Sequence, residues 1–234
     1  MKDKKIIVIG DVHGESTWRK IVEKNMDADK IIFLGDYLDS FDKSPTEQIT
    51  IFEEIMKLKK ENKNKVVTLM GNHDFHYLLI PGERYSGFQE IMQVAYNEMV
   101  EKYIKNGSLQ MCHYEEDNLL FSHAGVTQTW LANSGYKGEY NVKDISEFIN
   151  NLFKTDLSKF RFTGGDNTGN NITQSPIWVR PASLFKDKVP NIVQFVGHTN
   201  IVDVTEMEGV WMCDALRTSG GYVEIINGEI KDKK

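Results

Sequence analysis

Short β-branched apolar runs recur along the chain, separated by stretches with helical periodicity. The first three are Lys5-Ile6-Ile7-Val8-Ile9, Lys30-Ile31-Ile32-Phe33-Leu34 and Lys65-Val66-Val67-Thr68-Leu69-Met70; Asn118-Leu119-Leu120-Phe121 and Ile192-Val193-Gln194-Phe195-Val196 follow. None alternates apolar with polar residues, so each reads as a strand buried on both faces. Between the second and third runs, Ser44-Pro45-Thr46-Glu47 is a capping box with proline at the first helical position. It opens a helix to about Glu61 with Ile49, Phe52, Ile55 and Met56 on one face. A second helix is expected over 87–105, with Phe88, Ile91, Met92, Ala95 and Met99 as its stripe. Strand, helix, strand, helix, strand predicts a βαβαβ unit and a parallel, helix-flanked sheet. The C-terminal third predicts strands over 201–205, 210–214 and 222–226, with Asn227-Gly228 a hairpin turn before Glu229-Ile230. These suggest a second, mainly antiparallel sheet packed on the first within one domain spanning 1–234. Residues 133–176 are the least ordered by composition and read as an insertion or lid, with Thr163–Asn171 a loop.

What ends each run changes the picture. Gly10-Asp11, Gly35-Asp36, Gly71-Asn72, Ser122-His123 and Gly197-His198 each put a small residue and then a metal-ligand type at the strand's carboxyl end, where parallel sheets bind ligands. Asp11 and His13 share one side of an extended segment, and Asp36 and Asp39 leave the second strand together. Asn72 and His73 must point apart, so one can ligate while the other faces substrate. Singly, each has an ordinary explanation as a helix cap, a turn or a structural histidine. Together, Asp11, His13, Asp36, Asn72, His123 and His198 form a sulfur-free donor set suited to borderline-hard divalent metals. Manganese leads, with iron, zinc, cobalt or nickel also fitting. Six donors exceed one tetrahedral zinc but match two metals about 3.5–4 Å apart sharing a carboxylate. Two such ions against two carboxylates leave positive charge for a phosphate dianion.

Composition narrows the partners. Asp plus Glu number 34 against 28 Lys plus Arg, a net charge of −6, which argues against a nucleic-acid coat or polybasic membrane binder. A hydrophobic fraction of 40% is that of a folded globular protein. Cys112 and Cys213 are isolated, which removes disulfide-scaffold and zinc-ribbon readings and suggests inert buried thiols. Met1-Lys2-Asp3-Lys4-Lys5 looks like the start of a signal peptide, but the apolar run behind it ends at Gly10. No stretch approaches the ~18 apolar residues of a membrane span. A cytoplasmic protein is expected. A dinucleotide-binding module would need Gly-x-Gly-x-x-Gly after the first strand, which Gly10-Asp11-Val12-His13-Gly14 lacks.

Gly10-Asp11-Val12-His13-Gly14, Gly35-Asp36-Tyr37-Leu38-Asp39, Gly71-Asn72-His73-Asp74, Ser122-His123-Ala124-Gly125 and Gly197-His198-Thr199 resemble, in order, the five motifs of the calcineurin-like metallophosphoesterases. Trp211-Met212-Cys213-Asp214 and Gly220-Gly221-Tyr222 are similar to that family's tail strands. The resemblance implies an α/β fold, a four-layer α/β/β/α sandwich of two mixed sheets flanked by helices, and a dinuclear metal-dependent phosphoesterase. It implies that Asp11, His13 and Asp36 hold one metal and Asp36, Asn72, His123 and His198 the other. His73 is then the general acid, with Asp39 orienting its imidazole. The phosphoprotein phosphatases of the superfamily carry Asp-Arg-Gly where this chain has Asp39-Ser40-Phe41, so one phosphate-gripping arginine is missing, which serine does not replace. Where many members read Gly-His-x-His, this chain has Asn200. Ser175-Pro176-Ile177-Trp178-Val179-Arg180-Pro181 resembles the Trp-x-Arg stretch of bacterial and phage phosphatases and symmetrical dinucleoside tetraphosphatases, and Gly71–His76 resembles the latter more closely still.

Arg180 is accordingly the expected phosphate clamp, with Arg84 and Arg161 as rivals. His76 reads as a neighbour of the site or part of the following helix, His113 as a strand residue, and Trp130 and Trp178 as core or pocket wall. The expected substrate is a small phosphorylated molecule such as a dinucleoside polyphosphate or nucleotide. The alternatives are a Ser/Thr or Tyr protein phosphatase, a nucleic-acid phosphoesterase, and a catalytically silent binding module, which should have lost ligands that here remain.

Overall fold

The computed structural model describes residues 4–164 and 168–234. Met1-Lys2-Asp3 of the N-terminal stretch and Gly165-Asp166-Asn167 of the expected loop lie outside the described residues.

The apolar runs become strands β1 (Lys5–Ile9), β2 (Lys30–Phe33), β3 (Val66–Leu69), β6 (Leu119–Ser122) and β7 (Val193–Val196), completed by β4 (Leu109–Gln110), β5 (Cys112–Glu115), β8 (Thr205–Met207), β9 (Val210–Met212), β10 (Tyr222–Ile226) and β11 (Glu229–Lys233). The helices are α1 (Trp18–Lys24), α2 (Pro45–Glu61), α3 (Asn72–Phe75), α4 (Gln93–Lys105), α5 (Gln128–Asn133), α6 (Val142–Thr155) and α7 (Pro181–Asp187). One sheet runs β11-β10-β1-β2-β3-β4 and the other β5-β6-β7-β9-β8. The first has a parallel run β1-β2-β3-β4 with antiparallel strands on the β1 side alone, and the second a parallel centre β6-β7-β9 with an antiparallel strand on each side, so both are mixed.

The lack of alternation in the runs now has a physical reason. Ile6, Val8, Ile32, Leu34, Val67 and Leu69 point into a core between the sheets, meeting Phe121 and Phe195. Their neighbours Ile7, Ile9, Ile31, Phe33 and Val66 pack in a second core with Trp18, Ile21, Phe52 and Ile55 of α1 and α2. On the second sheet, Leu120 joins the core that holds Ile145 and Ile149 of α6, and Val196, Val210 and Met212 pack with Leu184 of α7. The result is the expected helix/sheet/sheet/helix layering.

Several sequence expectations are corrected. The C-terminal hairpin β10-β11 does not seed a separate antiparallel sheet; β10 pairs with β1, sending Val223 and Ile225 into the inter-sheet core. The strand expected over 201–205 forms instead at Thr205–Met207, as an exposed edge. The helix expected from residue 87 starts only at Gln93, because Gly87 takes φ +88° and a 3₁₀ turn, Glu90–Met92, intervenes. Its buried face is Tyr96, Met99, Val100 and Tyr103, while Ile91 is 92% exposed. Most of 133–176 is not loose either: α6 lies within it, capped by Asn141, whose side chain accepts from Lys143 N and Asp144 N. Gln174 and Ser175 are buried, and Gln174 bonds both the N–H and the carbonyl of Thr163.

Candidate metal and phosphate site

The carboxyl ends of β1, β2 and β3 from one sheet meet those of β6 and β7 from the other, and the turns leaving them converge. Four site residues adopt left-handed backbone: His13 (φ 42°), Asp36 (51°), Asp39 (63°) and His198 (63°). Such geometry is disfavoured for side-chain-bearing residues and clusters where function requires it. Two glycines allow the close approach. A Cβ at Gly71 would lie 2.0 Å from Asp36 Oδ1, and one at Gly197 2.0 Å from Asp11 Oδ1.

Asp36 is central. His13 Nε2 stands 3.6 Å and His123 Nε2 3.3 Å from its Oδ2, and its Oδ1 accepts from His73 N at 2.9 Å. Its donor atoms group with those of His13 and His73 on one side and of His123 and His198 on the other, within 4.8 Å in each group. Asn72 Oδ1 lies 3.0 Å from His123 Nε2 and 2.8 Å from His198 Nδ1. Asp11 is buried nearby, with both oxygens 3.0 Å from His198 N, but it falls outside those compact three-donor groups. The other nitrogens are anchored. His13 Nδ1 faces Leu38 O at 2.7 Å, His123 Nδ1 faces Leu34 O at 3.0 Å, and His198 Nε2 faces Trp178 O at 3.1 Å.

The remaining polar groups were partly invisible in the sequence. Asp74 is buried and accepts from Gly71 N, Asp36 N and Tyr37 N at 2.9–3.0 Å, locking the second and third turns together. Asp214, buried just after β9, repeats the pattern of a ligand type following a buried strand, and that signal could have marked it. His73 Nδ1 contacts Asp39 Oδ2 at 3.0 Å. Asp39 is also met by Tyr77 and by His76, a buried residue that spacing alone did not connect to it.

The electrostatics call for positive charge. Burial, then the Asp214 and Asp36 charges, raise Asp11 well above the usual carboxylate range. Burial and Asp36 likewise push Asp74 up to about 7 and Asp214 up to about 6. Burial acts on Asp36 too, but His123 and His73 outweigh it and hold it well below normal. Burial depresses His13 to about 4 and His198 well below its ordinary value, leaving neutral imidazoles suited to ligation. Burial alone would lower His73, yet the Asp36 charge and its bond to Asp39 raise it. Oxygen and neutral nitrogen donors around uncompensated buried carboxylates fit divalent cations.

Of the three candidate arginines, Arg180 lies beside this centre. Its guanidinium donates to His198 O at 3.0 Å and Thr199 Oγ1 at 3.1 Å, and Asp11 and Asp36 act on it electrostatically. Arg84 is exposed and turned to Glu90 and Gln93, and Arg161 bonds Glu83 and Pro81. Ser40, in the place of the missing arginine, donates to Asp42 at 2.8 Å. His113 sits on β5 against Glu115 at 3.0 Å, and both cysteines are buried free thiols, Cys112 pushed up to about 12 by burial. Trp178 is buried core. A groove of about 1030 Å³ between α2 and α4 is lined by Lys57, Lys60, Lys102 and Glu53 among others and holds none of the three-donor groups. Donor convergence, rather than concavity, locates the site.

The chain is similar to known proteins. The family model described as calcineurin-like phosphoesterase matches residues 4–217. A protein serine/threonine phosphatase from Saccharomyces cerevisiae, described as similar to human phosphatase PP5, superposes at a TM-score of 0.58 with 17% identity, over 99% of this chain and 80% of its own. A metallophosphoesterase from Sphaerobacter thermophilus gives a TM-score of 0.44 and 14% identity, over 99% of this chain and 87% of its own.

Proposed function

This chain belongs to the calcineurin-like phosphoesterase family, and on that premise we propose that it hydrolyses a small nucleotide-type phosphate ester or anhydride, such as a dinucleoside polyphosphate, at a centre for two divalent metals. It is a metal-dependent phosphatase hydrolase acting on phosphorylated substrates; the substrate, the metal and the residue roles are the proposal. The observation that carries it is Asp36, common to two of the three three-donor groups and hydrogen-bonded to the backbone of His73.

In this reading Asp11, His13 and Asp36 hold one ion and Asp36, Asn72, His123 and His198 the other. When bound, the pair, manganese in the first instance, would polarise the phosphoryl group and lower the pKa of a water. The chain's own residues do the rest. Arg180, already fixed beside His198, presents its guanidinium to the phosphoryl oxygens. His73, with Nδ1 on Asp39, turns Nε2 toward the leaving oxygen and gives it a proton as the phosphorus–oxygen bond to that group breaks and the bond to the water oxygen forms. Ser40, turned to Asp42, offers no second guanidinium, which favours a substrate recognised partly through its own base or sugar over a phosphoprotein. The same proposal takes 1–234 as one catalytic domain. It also sets the protein in the cytoplasm, where Cys112 and Cys213 stay free; among the described residues no helix is long and apolar enough to cross a membrane.

The test is a hydrolysis panel with manganese, comparing phenyl phosphate, a dinucleoside tetraphosphate and a phosphopeptide, each with wild type and His73→Ala. The tetraphosphate is expected to have the highest kcat/KM, and His73→Ala to lose about 10²–10⁴-fold in turnover at unchanged metal content. Preference for the phosphopeptide would replace the substrate reading with a protein phosphatase. Wild-type turnover in His73→Ala would remove His73 from the chemistry, and no hydrolysis of any substrate would leave a silent binding module.

A further inference from the structure

His76 is a buried imidazole, 1% exposed, that no role above uses. Its ring is clamped among aromatics. Tyr85 lies nearly parallel to it at 5.7 Å, and Tyr77 and Phe88 meet it edge-on at 4.5 and 4.9 Å. Its Nε2 lies 2.5 Å from Asp39 Oδ2, the oxygen that also faces His73 Nδ1 at 3.0 Å, while Tyr77 OH donates to Oδ1 at 2.5 Å. Asp39 is itself fully buried.

Asp39, His73 and His76 bring three donor atoms together, so a further metal site is one reading. The separations decide against it. Donors on one tetrahedral ion, bonded at about 2.0–2.1 Å, stand about 3.3 Å apart. The 2.5 Å between His76 Nε2 and Asp39 Oδ2 is shorter than the closest donor pair of the candidate metal centre, 2.8 Å between Asn72 Oδ1 and His198 Nδ1, and belongs to groups sharing a proton. Neither ring nitrogen of His76 makes a hydrogen bond of ordinary geometry among the described residues, so its contact with Asp39 is a close ion-pair approach. Even so, a nitrogen and a carboxylate oxygen 2.5 Å apart need a proton between them, because two bare lone pairs would repel. His76 therefore presents Nε2–H to Asp39.

We propose that His76 is a positioning residue: together with Tyr77 it fixes the Asp39 carboxylate, and through it the His73 imidazole, at the angle from which Nε2 reaches the leaving oxygen. The inference rests on the reading of His73 as the general acid. A carboxylate gripped on both oxygens cannot swing. With Tyr77 alone it is free to rotate about that one contact and carry Nδ1 of His73 with it. The consequence is confined to protonation of the leaving group, since His76 touches none of the candidate metal ligands' donor atoms in the contacts described.

Leaving-group dependence separates this role from a packing role. Phenyl phosphate releases a basic oxygen that needs a proton, whereas 2,4-dinitrophenyl phosphate releases one that does not. With the manganese-loaded full chain, His76→Phe is expected to lower kcat on phenyl phosphate about 10- to 100-fold, leave KM and metal content unchanged, and barely alter the dinitrophenyl reaction. His76→Gln, whose amide N–H reaches the same oxygen, should restore most of the loss. Equal losses on both substrates, a wild-type rate on phenyl phosphate, or a glutamine variant no better than phenylalanine would overturn the proposal. If His76→Phe does not fold, His76→Asn, too short to reach Asp39, stands in under the same outcomes. His73→Asn run alongside tells the two readings apart. If it shows no leaving-group selectivity, the acid reading falls and this proposal with it. If it is selective while the His76 variant is not, this proposal alone falls.

Discussion

Two residues with no side chain constrain the site most tightly. Gly71 and Gly197 lie where a methyl group would sit 2.0 Å from Asp36 Oδ1 and from Asp11 Oδ1 respectively. Asp36 cannot yield at Gly71, because its backbone nitrogen is also 2.5 Å from that methyl position and is held by Asp74. Gly71→Ala and Gly197→Ala should each lower stability by about 1–3 kcal/mol, with reduced metal content by elemental analysis. Gly164→Ala, with nothing among the described residues within 4 Å of its Cβ position, is the control and should melt like wild type. Full stability and full metal in Gly71→Ala would show that the carboxylates have room to move, against the packing described. At this scale the sequence was readable wherever a ligand type directly follows a buried apolar run, as at Asp36 or His123. His76 read only as a neighbour of the site or part of the following helix, because its contact with Asp39 is made through space, between the turn after β2 and the turn after α3, and no spacing rule encodes that partner.

Among the elements, α6 shows where composition misleads. Its surroundings are polar and glycine-rich, which read as loop, yet Val142, Ile145, Ile149 and Phe153 recur at helical spacing and are buried. Asn141 caps the helix from outside the periodic stretch. Periodicity within the window carried the signal, and averaging over 133–176 erased it. Conversely, the helix expected from residue 87 failed at its start because the left-handed Gly87 and a 3₁₀ turn precede Gln93, so apolar Ile91 points to solvent. Local backbone chemistry overrode a tolerable apolar stripe. Since Ile149 is fully buried in the core shared with Leu120 of the second sheet, Ile149→Ala should cost about 2–5 kcal/mol in urea unfolding. Its kcat at a temperature where the variant stays folded should match wild type. A loss under 1 kcal/mol, on the order of an exposed substitution, would mean that α6 is a peripheral flap.

For the whole molecule, the sequence could not reveal how the strands divide into two sheets. A run buried on both faces looks the same whether it lies beside β1 or beside β6, and β10 joins β1 from the far end of the chain. The division matters because the candidate ligands are split across it: Asp11, His13, Asp36 and Asn72 leave the first sheet, His123 and His198 the second. Protein contacts already bridge the gap, from His198 N to Asp11, His123 Nδ1 to Leu34 O, and Asn72 Oδ1 to both histidines. Yet these leave Asp11, Asp74 and Asp214 all buried against the Asp36 charge, a repulsion that cations between the sheets would offset. Metal binding should therefore clamp the two sheets together. Free ion at 100 times its Kd adds about 2.7 kcal/mol of stability, which in a chain of this size raises Tm by roughly 5–10 °C. Stripping a manganese-loaded sample with a chelator should reverse that rise while leaving the far-UV circular dichroism unchanged, because the inter-sheet core of Val8, Leu34, Phe121 and Phe195 remains packed. Asp36→Asn, which weakens the carboxylate common to both donor groups, should show a smaller chelator-induced drop in Tm. An identical Tm with and without chelator, in protein whose metal content has demonstrably changed, would mean that the ions sit elsewhere than between the two sheets.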